Sequence, residues 1–156
     1  MCLLLSMAAL GGTAGAAERI DVATDRPAAD LSGRTRSGVA SFYAPMFFGR
    51  KMADGTPMDP TGDNAASRTL PLGTKAMVTN LATGQTATVT IRDRGPYVQG
   101  RIVDLSPSTA QQLGITPRMG VAKVEVTPIV VPLPGGGVKF GESARLATLA
   151  EWSRAQ

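Results

Sequence analysis

Alternating polar and apolar residues between positions 74 and 131 constrain this chain more than any other feature. The clearest run is residues 85–93, where threonines alternate with Ala87, Val89 and Ile91. In an extended strand this pattern makes one face polar and the other apolar. The 18 glycines and 11 prolines among 156 residues are also more than ordinary usage supplies. The sequence therefore predicts short strands joined by tight turns rather than long helices.

The same reasoning extends along the chain. Strands are predicted over residues 38–43, 74–81, 85–93, 101–105 and 121–131. Ser106 is a natural helix N-cap with Pro107 at the first helical position and Gly114 at the end, so a short helix follows the fourth strand. A second, weakly amphipathic helix is predicted over residues 142–154. Short strands of this kind predict a mainly β fold, a small closed barrel, because closure removes exposed strand edges.

The composition shifts divide the chain into four segments. Residues 1–17 are uncharged, contain an apolar run and end in small residues, which indicates a secretory signal peptide too short to span a membrane. Residues 18–37 are predicted to be a flexible leader, residues 38–131 the barrel domain, and residues 132–156 a linker with a short C-terminal helix. Export as a secreted or periplasmic protein is expected. Cys2 precedes the apolar run, whereas the cysteine of a lipoprotein would follow it, so a lipid anchor is not indicated.

Composition excludes several classes of function. The absence of histidine excludes a histidine-based triad or an imidazole proton shuttle, and the single cysteine excludes an internal disulfide or a paired-thiol metal site. No metal and no cofactor are expected. Aromatic residues make up only 4%, so a nucleic-acid partner is not expected. Residues 33–131 carry eleven basic and six acidic residues, which would attract an anionic polymer such as a cell-wall glycan or would simply keep the protein soluble.

The segment over residues 91–97 holds the best candidate for an acid or base. Asp93 ends a predicted buried strand between Arg92 and Arg94 and is followed by a Gly-Pro turn. A carboxylate fixed on a rigid turn suits general acid/base catalysis. The alternative is that Asp93 pairs with a neighbouring arginine or accepts backbone amides within its turn. Asp104, just before the helix cap, is interpreted as structural.

Two further carboxylates, Asp54 and Asp59, lie in the glycine-rich loop over residues 49–63. A loop of this length in a compact domain is usually functional or disordered. Carboxylates in such loops commonly form Asx turns, so a structural role for Asp54 and Asp59 stands beside a catalytic one.

Several motifs occur in an order that resembles a known family. They are Gly38-Val-Ala-Ser-Phe-Tyr43, Phe48-Gly-Arg50, Ala53-Asp-Gly55, Ala65-Ala66, Thr69-Leu-Pro-Leu-Gly-Thr74, Val78-Thr-Asn-Leu81, Asp93-Arg-Gly-Pro96 and Gly100-Arg-Ile-Val-Asp-Leu-Ser106. Over about residues 38–127 the chain resembles the rare lipoprotein A family of septal-ring lytic transglycosylases. The resemblance implies a six-stranded double-psi β-barrel with one or two short helices.

The resemblance also implies an activity. Such enzymes cleave the bond between N-acetylmuramic acid and N-acetylglucosamine in glycan strands stripped of stem peptides, and they leave 1,6-anhydro ends. It implies Asp93 as the catalytic acid/base and Asp59 as a second catalytic carboxylate. The residues expected to bind substrate are Tyr43, Arg50, Asp54, Thr56, Ser67, Arg94 and Tyr97. Peptidoglycan is the expected partner of a monomeric protein, with septal-ring proteins as further candidates.

Two positions depart from the family pattern. Thr56 stands where the family usually has glutamate, and Ser67 stands where it usually has histidine. The first alternative is therefore an expansin-like barrel that binds peptidoglycan with impaired catalysis. A second alternative is a secreted barwin-like effector or inhibitor that acts on a protein.

Overall fold

A computed structural model describes residues 27–154 of the chain. Its strands are β1 (Arg36–Phe42), β2 (Asn64–Ala66), β3 (Lys75–Asn80), β4 (Thr86–Asp93), β5 (Arg101–Leu105), β6 (Ala122–Pro132) and β7 (Val138–Phe140). Its α-helices are α1 (Pro107–Gln112) and α2 (Glu142–Arg154), and a 3₁₀ helix spans Pro45–Phe47. The predicted signal peptide over residues 1–17 and the first part of the predicted leader, residues 18–26, lie outside the described residues.

Six strands close into a barrel in the order β1-β5-β2-β4-β3-β6, and β6 pairs back with β1. Two neighbouring pairs are parallel, β1 with β5 and β2 with β4, while the remaining pairs are antiparallel. Strand β7 pairs with the last residues of β6, beyond the part of β6 that pairs with β1. Closure leaves none of the six strands with a free edge. This confirms the predicted mainly β, six-stranded double-psi barrel with two short helices.

The apolar face of each strand fills the interior of the barrel. Val89 and Ile91 of β4 and Leu105 of β5 have no exposed surface. Thr90 departs from the predicted alternation, because this threonine is buried and its hydroxyl donates to the Asp63 carboxylate at 2.7 Å. The hydrogen bond satisfies a polar group that would otherwise be costly to bury, and it ties β4 to the loop before β2.

Strand β1 begins at Arg36, two residues before the predicted domain start at Gly38. Arg36 and its neighbour pair with β6 in register, which extends the strand backward. The chain before it also contacts the barrel. The Asp30 N–H donates to the Thr69 carbonyl at 2.8 Å, and the Asp30 carboxylate pairs with the Arg36 guanidinium at 2.9 Å. Residues 27–35, placed in the leader by the sequence, therefore follow the barrel surface toward the loop after β2.

Ser106 is the N-cap of α1, as predicted, and it also binds the glycine-rich loop over residues 49–63, called the long loop below. Its hydroxyl accepts the Thr109 N–H at 3.2 Å and lies 2.6 Å from the Gly62 carbonyl, to which it donates. Gly114 follows the helix with a φ of 71°, a backbone conformation that favours glycine. The predicted helix cap and helix end are therefore both confirmed.

Replacing Ser106 with alanine is expected to lower the free energy of unfolding by about 0.5–2 kcal/mol, the usual loss for a helix N-cap. The Gly62 carbonyl also loses its donor, so the effect should lie toward the upper end of that range. Urea unfolding followed by circular dichroism measures the change. Ser108→Ala on the same helix is the matched control, because no hydrogen bond from its hydroxyl is seen within residues 27–154. Equal midpoints for the two variants would contradict the role of the cap.

Candidate active site

Asp93 lies half-buried at the end of β4, and three hydrogen bonds fix its carboxylate. Oδ1 accepts the backbone N–H of Ala53 at 3.0 Å and that of Arg94 at 2.8 Å. Oδ2 accepts the hydroxyl of Tyr43 at 2.9 Å. The donors come from three separate parts of the chain: the long loop, the turn after β4 and the residue after β1. The carboxylate is therefore held in one orientation without an arginine side chain.

The two arginines beside Asp93 bind elsewhere. The Arg92 guanidinium lies 3.4 Å from the carboxylate of Asp54. The Arg94 guanidinium donates to two carbonyls, that of Ser67 at 3.1 Å and that of Leu70 at 2.6 Å. Two structural alternatives stood for Asp93. Its carboxylate does accept backbone amides, and it forms no ion pair with Arg92 or Arg94.

Asp54 forms a tight turn in the long loop. Its Oδ1 accepts the backbone N–H of Thr56 at 2.8 Å and the hydroxyl of Thr56 at 2.6 Å. Slight burial acts to raise the pKa of Asp54, but the bonds from Thr56 and the Arg92 guanidinium outweigh it and hold that pKa below its usual value. Because the Asp54 N–H also donates to the Arg92 carbonyl at 2.9 Å, this turn is fastened to β4 just before Asp93.

Asp59 forms a separate Asx turn on the exposed side of the loop. Its Oδ1 accepts the backbone N–H of Thr61 at 2.8 Å and the hydroxyl of Thr61 at 2.7 Å. These hydrogen bonds lower the pKa of Asp59. The described residues show no hydrogen bond between Asp59 and Asp93, so the two carboxylates implied by the resemblance lie in different turns.

Ser67 lies behind Asp93 rather than on the surface, since it is only 3% exposed. Its backbone N–H donates to the Asp93 carbonyl at 3.1 Å, and its hydroxyl accepts the Leu70 N–H at 3.2 Å. The structure therefore brings Ser67 next to Asp93 through the backbone, while its side chain is used within its own turn. Asp104 is structural, as interpreted from the sequence, because it binds the Ser41 hydroxyl and the Arg101 guanidinium.

Tyr43, which is expected to bind substrate, donates its hydroxyl to Asp93. Burial, followed by the hydrogen bond and the charge of Asp93, raises the pKa of Tyr43 well above its ordinary value. The hydroxyl therefore stays protonated at neutral pH and acts as a donor. The ring of Tyr43 meets the ring of Phe47 edge to face, with centroids 6.0 Å apart, and the Arg50 guanidinium lies 5.9 Å from the Phe47 centroid.

An exposed apolar ridge adjoins Tyr43. We use this name for Met46, Phe47 and Phe48, which are 68%, 42% and 39% exposed. Sequence reasoning gave these side chains no role, although three consecutive large apolar residues in a loop rich in glycine and proline were a visible signal. Exposed apolar surface beside a candidate site commonly contacts a ligand.

A surface groove of about 580 Å³ adjoins the backbone donors that bind Asp93. Its lining residues are Pro27, Ala29, Ala53, Arg68, Thr69, Leu72, Arg94 and Tyr97. This volume is within the range of ligand-binding clefts. The groove brings together two predicted substrate-binding residues, Arg94 and Tyr97, the latter 77% exposed. Arg68, which lines the same groove, was missed by the sequence reasoning.

Within residues 27–154, no group of three or more aspartates, glutamates, cysteines or histidines is placed to hold a metal ion. No helix in the described part of the chain has the length and apolar character needed to cross a membrane.

A family model and several curated proteins are similar to this chain. A family model described as lytic transglycolase matches residues 35–126, more than half of the chain. A probable endolytic peptidoglycan transglycosylase RlpA from Synechocystis sp. is 48% identical over 82 residues, covering 53% of this chain and 26% of that protein. The endolytic peptidoglycan transglycosylase RlpA of Pasteurella multocida is 42% identical over 122 residues, covering 78% of this chain and 41% of that protein. The chain thus spans less than half the length of these curated relatives.

Proposed function

The chain belongs to the RlpA family of lytic transglycolases, and from that premise we propose that its barrel is a peptidoglycan lytic transglycosylase. It cleaves the bond between N-acetylmuramic acid and N-acetylglucosamine in strands that lack stem peptides and leaves 1,6-anhydro ends. One observation carries the proposal. The Asp93 carboxylate is oriented by three hydrogen bonds, none from an arginine side chain, and two of its donors belong to residues that line a groove.

The proposed reaction needs one group that both gives and takes a proton. A proton passes from Asp93 to the glycosidic oxygen, and the bond from that oxygen to C1 of the muramic acid breaks. The C6 hydroxyl of the same sugar then bonds to C1 and returns its proton to Asp93, so no water is consumed. Oδ1 is occupied by two backbone donors. Oδ2, shared with the Tyr43 hydroxyl, is therefore the oxygen that exchanges the proton.

The remaining predicted residues take supporting places in this proposal. Arg94 and Tyr97 line the groove that receives the glycan, and Arg50 lies beside the apolar ridge that continues from Tyr43. Asp59 and Thr56 are both exposed on the glycine-rich loop over residues 49–63, and they would contact a glycan strand only along the outer side of that loop.

The substrate also sets where the protein works. Peptidoglycan lies outside the cytoplasm, so we propose that the chain acts there, with residues 1–17 as its export signal. We propose that it acts as a monomer. Septal-ring proteins are its proposed partners.

Incubation of the purified chain with peptide-free glycan strands tests the activity. Mass spectrometry should show fragments that end in 1,6-anhydro-N-acetylmuramic acid, 18 mass units lighter than hydrolysis products because no water is added. Fragments with ordinary reducing ends would contradict the proposed reaction.

A peptidoglycan-binding barrel without catalysis is the second candidate, and it is favoured by the residues at positions 56 and 67. Thr56 bears no titratable group, and Ser67 is buried in its own turn. Neither of the two positions that depart from the family pattern therefore supplies a second acid or base beside Asp93. Sedimentation of the protein with insoluble peptidoglycan without release of soluble fragments would establish this second function. No sedimentation at all would favour a protein-directed effector or inhibitor.

A further inference from the structure

Arg68 lies in the groove beside two of the residues whose backbone N–H groups bind Asp93. It directly follows Ser67, whose backbone N–H donates to the Asp93 carbonyl at 3.1 Å. Its side chain is exposed and lines the 580 Å³ groove, together with Ala53 and Arg94, which bind Asp93. Arg68 also lines the adjoining cavity of about 450 Å³ under residues 28–31, so it lies between the two cavities.

Within residues 27–154, no acidic side chain pairs with the guanidinium N–H groups of Arg68. The salt bridges of the described residues involve Arg36, Arg92 and Arg101, and none involves Arg68. Arg94, the other arginine of the groove, already donates to two carbonyls. Among residues 27–154, no acidic side chain lines the groove, and the two charged residues that do line it are both cations. The groove is therefore complementary to an anionic group on the ligand.

We propose that Arg68 binds the free lactyl carboxylate of N-acetylmuramic acid and thereby selects strands without stem peptides. This inference rests on the proposed function for its substrate class. Removal of the stem peptide converts a neutral amide on the lactyl group into a carboxylate. A guanidinium can bind both oxygens of that carboxylate in a planar, charge-assisted pair. An amide offers one neutral oxygen and no charge, so a strand that carries peptides forms a weaker contact.

The geometry of the sugar supports this placement. The lactyl group and the C1 and C6 atoms of the proposed reaction belong to one muramic acid ring. Binding of the carboxylate at Arg68 would therefore restrain the same sugar on which Asp93 acts in the proposed reaction. Arg68 directly follows Ser67, whose backbone N–H donates to the Asp93 carbonyl. Arg68 is accordingly a specificity-determining residue that orients the sugar and takes no part in proton transfer.

Calorimetric binding to two muramic acid tetrasaccharides tests the proposal. One carries free lactyl carboxylates, and in the other these are converted to methylamides. The whole chain is used with Asp93→Asn as background, so that the ligands stay intact. Arg68→Gln should weaken binding of the carboxylate ligand about 10-fold or more, since hydrogen bonds to charged groups are the strong ones, and should leave amide binding unchanged. Arg68→Lys should retain part of the difference, because it keeps the charge and loses the planar fork.

Arg118→Gln is the matched control, since this exposed arginine lies outside the groove. It should bind both ligands as the background protein does. Equal affinity of the background protein for the two ligands, or equal losses for both in Arg68→Gln, would overturn the inference. The assay needs no turnover, so the two proposals can fail separately. Carboxylate-dependent binding without 1,6-anhydro products would contradict the catalytic function and support the role of Arg68. Formation of 1,6-anhydro products by the wild type without carboxylate-dependent binding would support the catalytic function and contradict the role of Arg68.

Discussion

Replacement of Asp93 by asparagine is expected to lower the rate of 1,6-anhydro product formation by about 10²- to 10⁴-fold, the usual contribution of a general acid or base. The amide has the shape of the carboxylate, and its oxygen can still accept the backbone N–H groups of Ala53 and Arg94. It cannot exchange the proton that the reaction requires. Product release is measured by liquid chromatography with mass spectrometry, and thermal unfolding by circular dichroism shows whether the barrel remains folded.

The matched control for this variant is Glu151→Gln, the same chemical change on an exposed residue of α2. Its turnover should equal that of the wild type. If Asp93→Asn keeps wild-type turnover, Asp93 is not the catalytic group. Asp59→Asn then becomes the informative variant, because Asp59 is the second carboxylate that the family resemblance implies.

Replacement of Tyr43 by phenylalanine is expected to lower kcat about 10- to 100-fold, with little change in KM. The ring and its contact with Phe47 remain, and only the hydroxyl that donates to Asp93 Oδ2 at 2.9 Å is removed. A hydrogen bond to a charged group contributes about 1.5–3 kcal/mol, which corresponds to this range of rates. Steady-state kinetics on peptide-free strands measure the effect.

Tyr97→Phe is the comparison for this variant, because it removes a hydroxyl from the groove and not from Asp93. We expect Tyr97→Phe to act on KM and Tyr43→Phe to act on kcat. Wild-type kcat in Tyr43→Phe would mean that the backbone donors alone orient the carboxylate.

The sequence predicts those elements whose signals are local. Strand β4 shows its alternation within eight residues, and α1 carries both its cap and its terminal glycine. Strands β2 and β7 could not be predicted, because each has only three residues. The residues of β2 are all buried, so it shows no alternation, and it exists through pairing with β4 and β5, which lie far along the chain.

The candidate site likewise has a part that local sequence predicts and a part that depends on contacts between distant residues. Asp93 was identified from its own segment, since a carboxylate between two arginines before a Gly-Pro turn is a local pattern. Its partners were not. Tyr43 follows β1, which pairs with β5 and β6 rather than with β4, so its bond to Asp93 depends on the closed barrel. The same holds for Arg92, whose partner Asp54 is 38 residues distant.

Two of the three donors to Asp93 are main-chain groups, and this has a consequence for evolution. Every amino acid except proline supplies a backbone N–H, so the side chain at position 53 can change without removing this donor to the carboxylate. Ala53 and Arg94 also form part of the groove wall. Natural drift or laboratory selection can therefore reshape the wall for a different saccharide while the acid keeps its alignment.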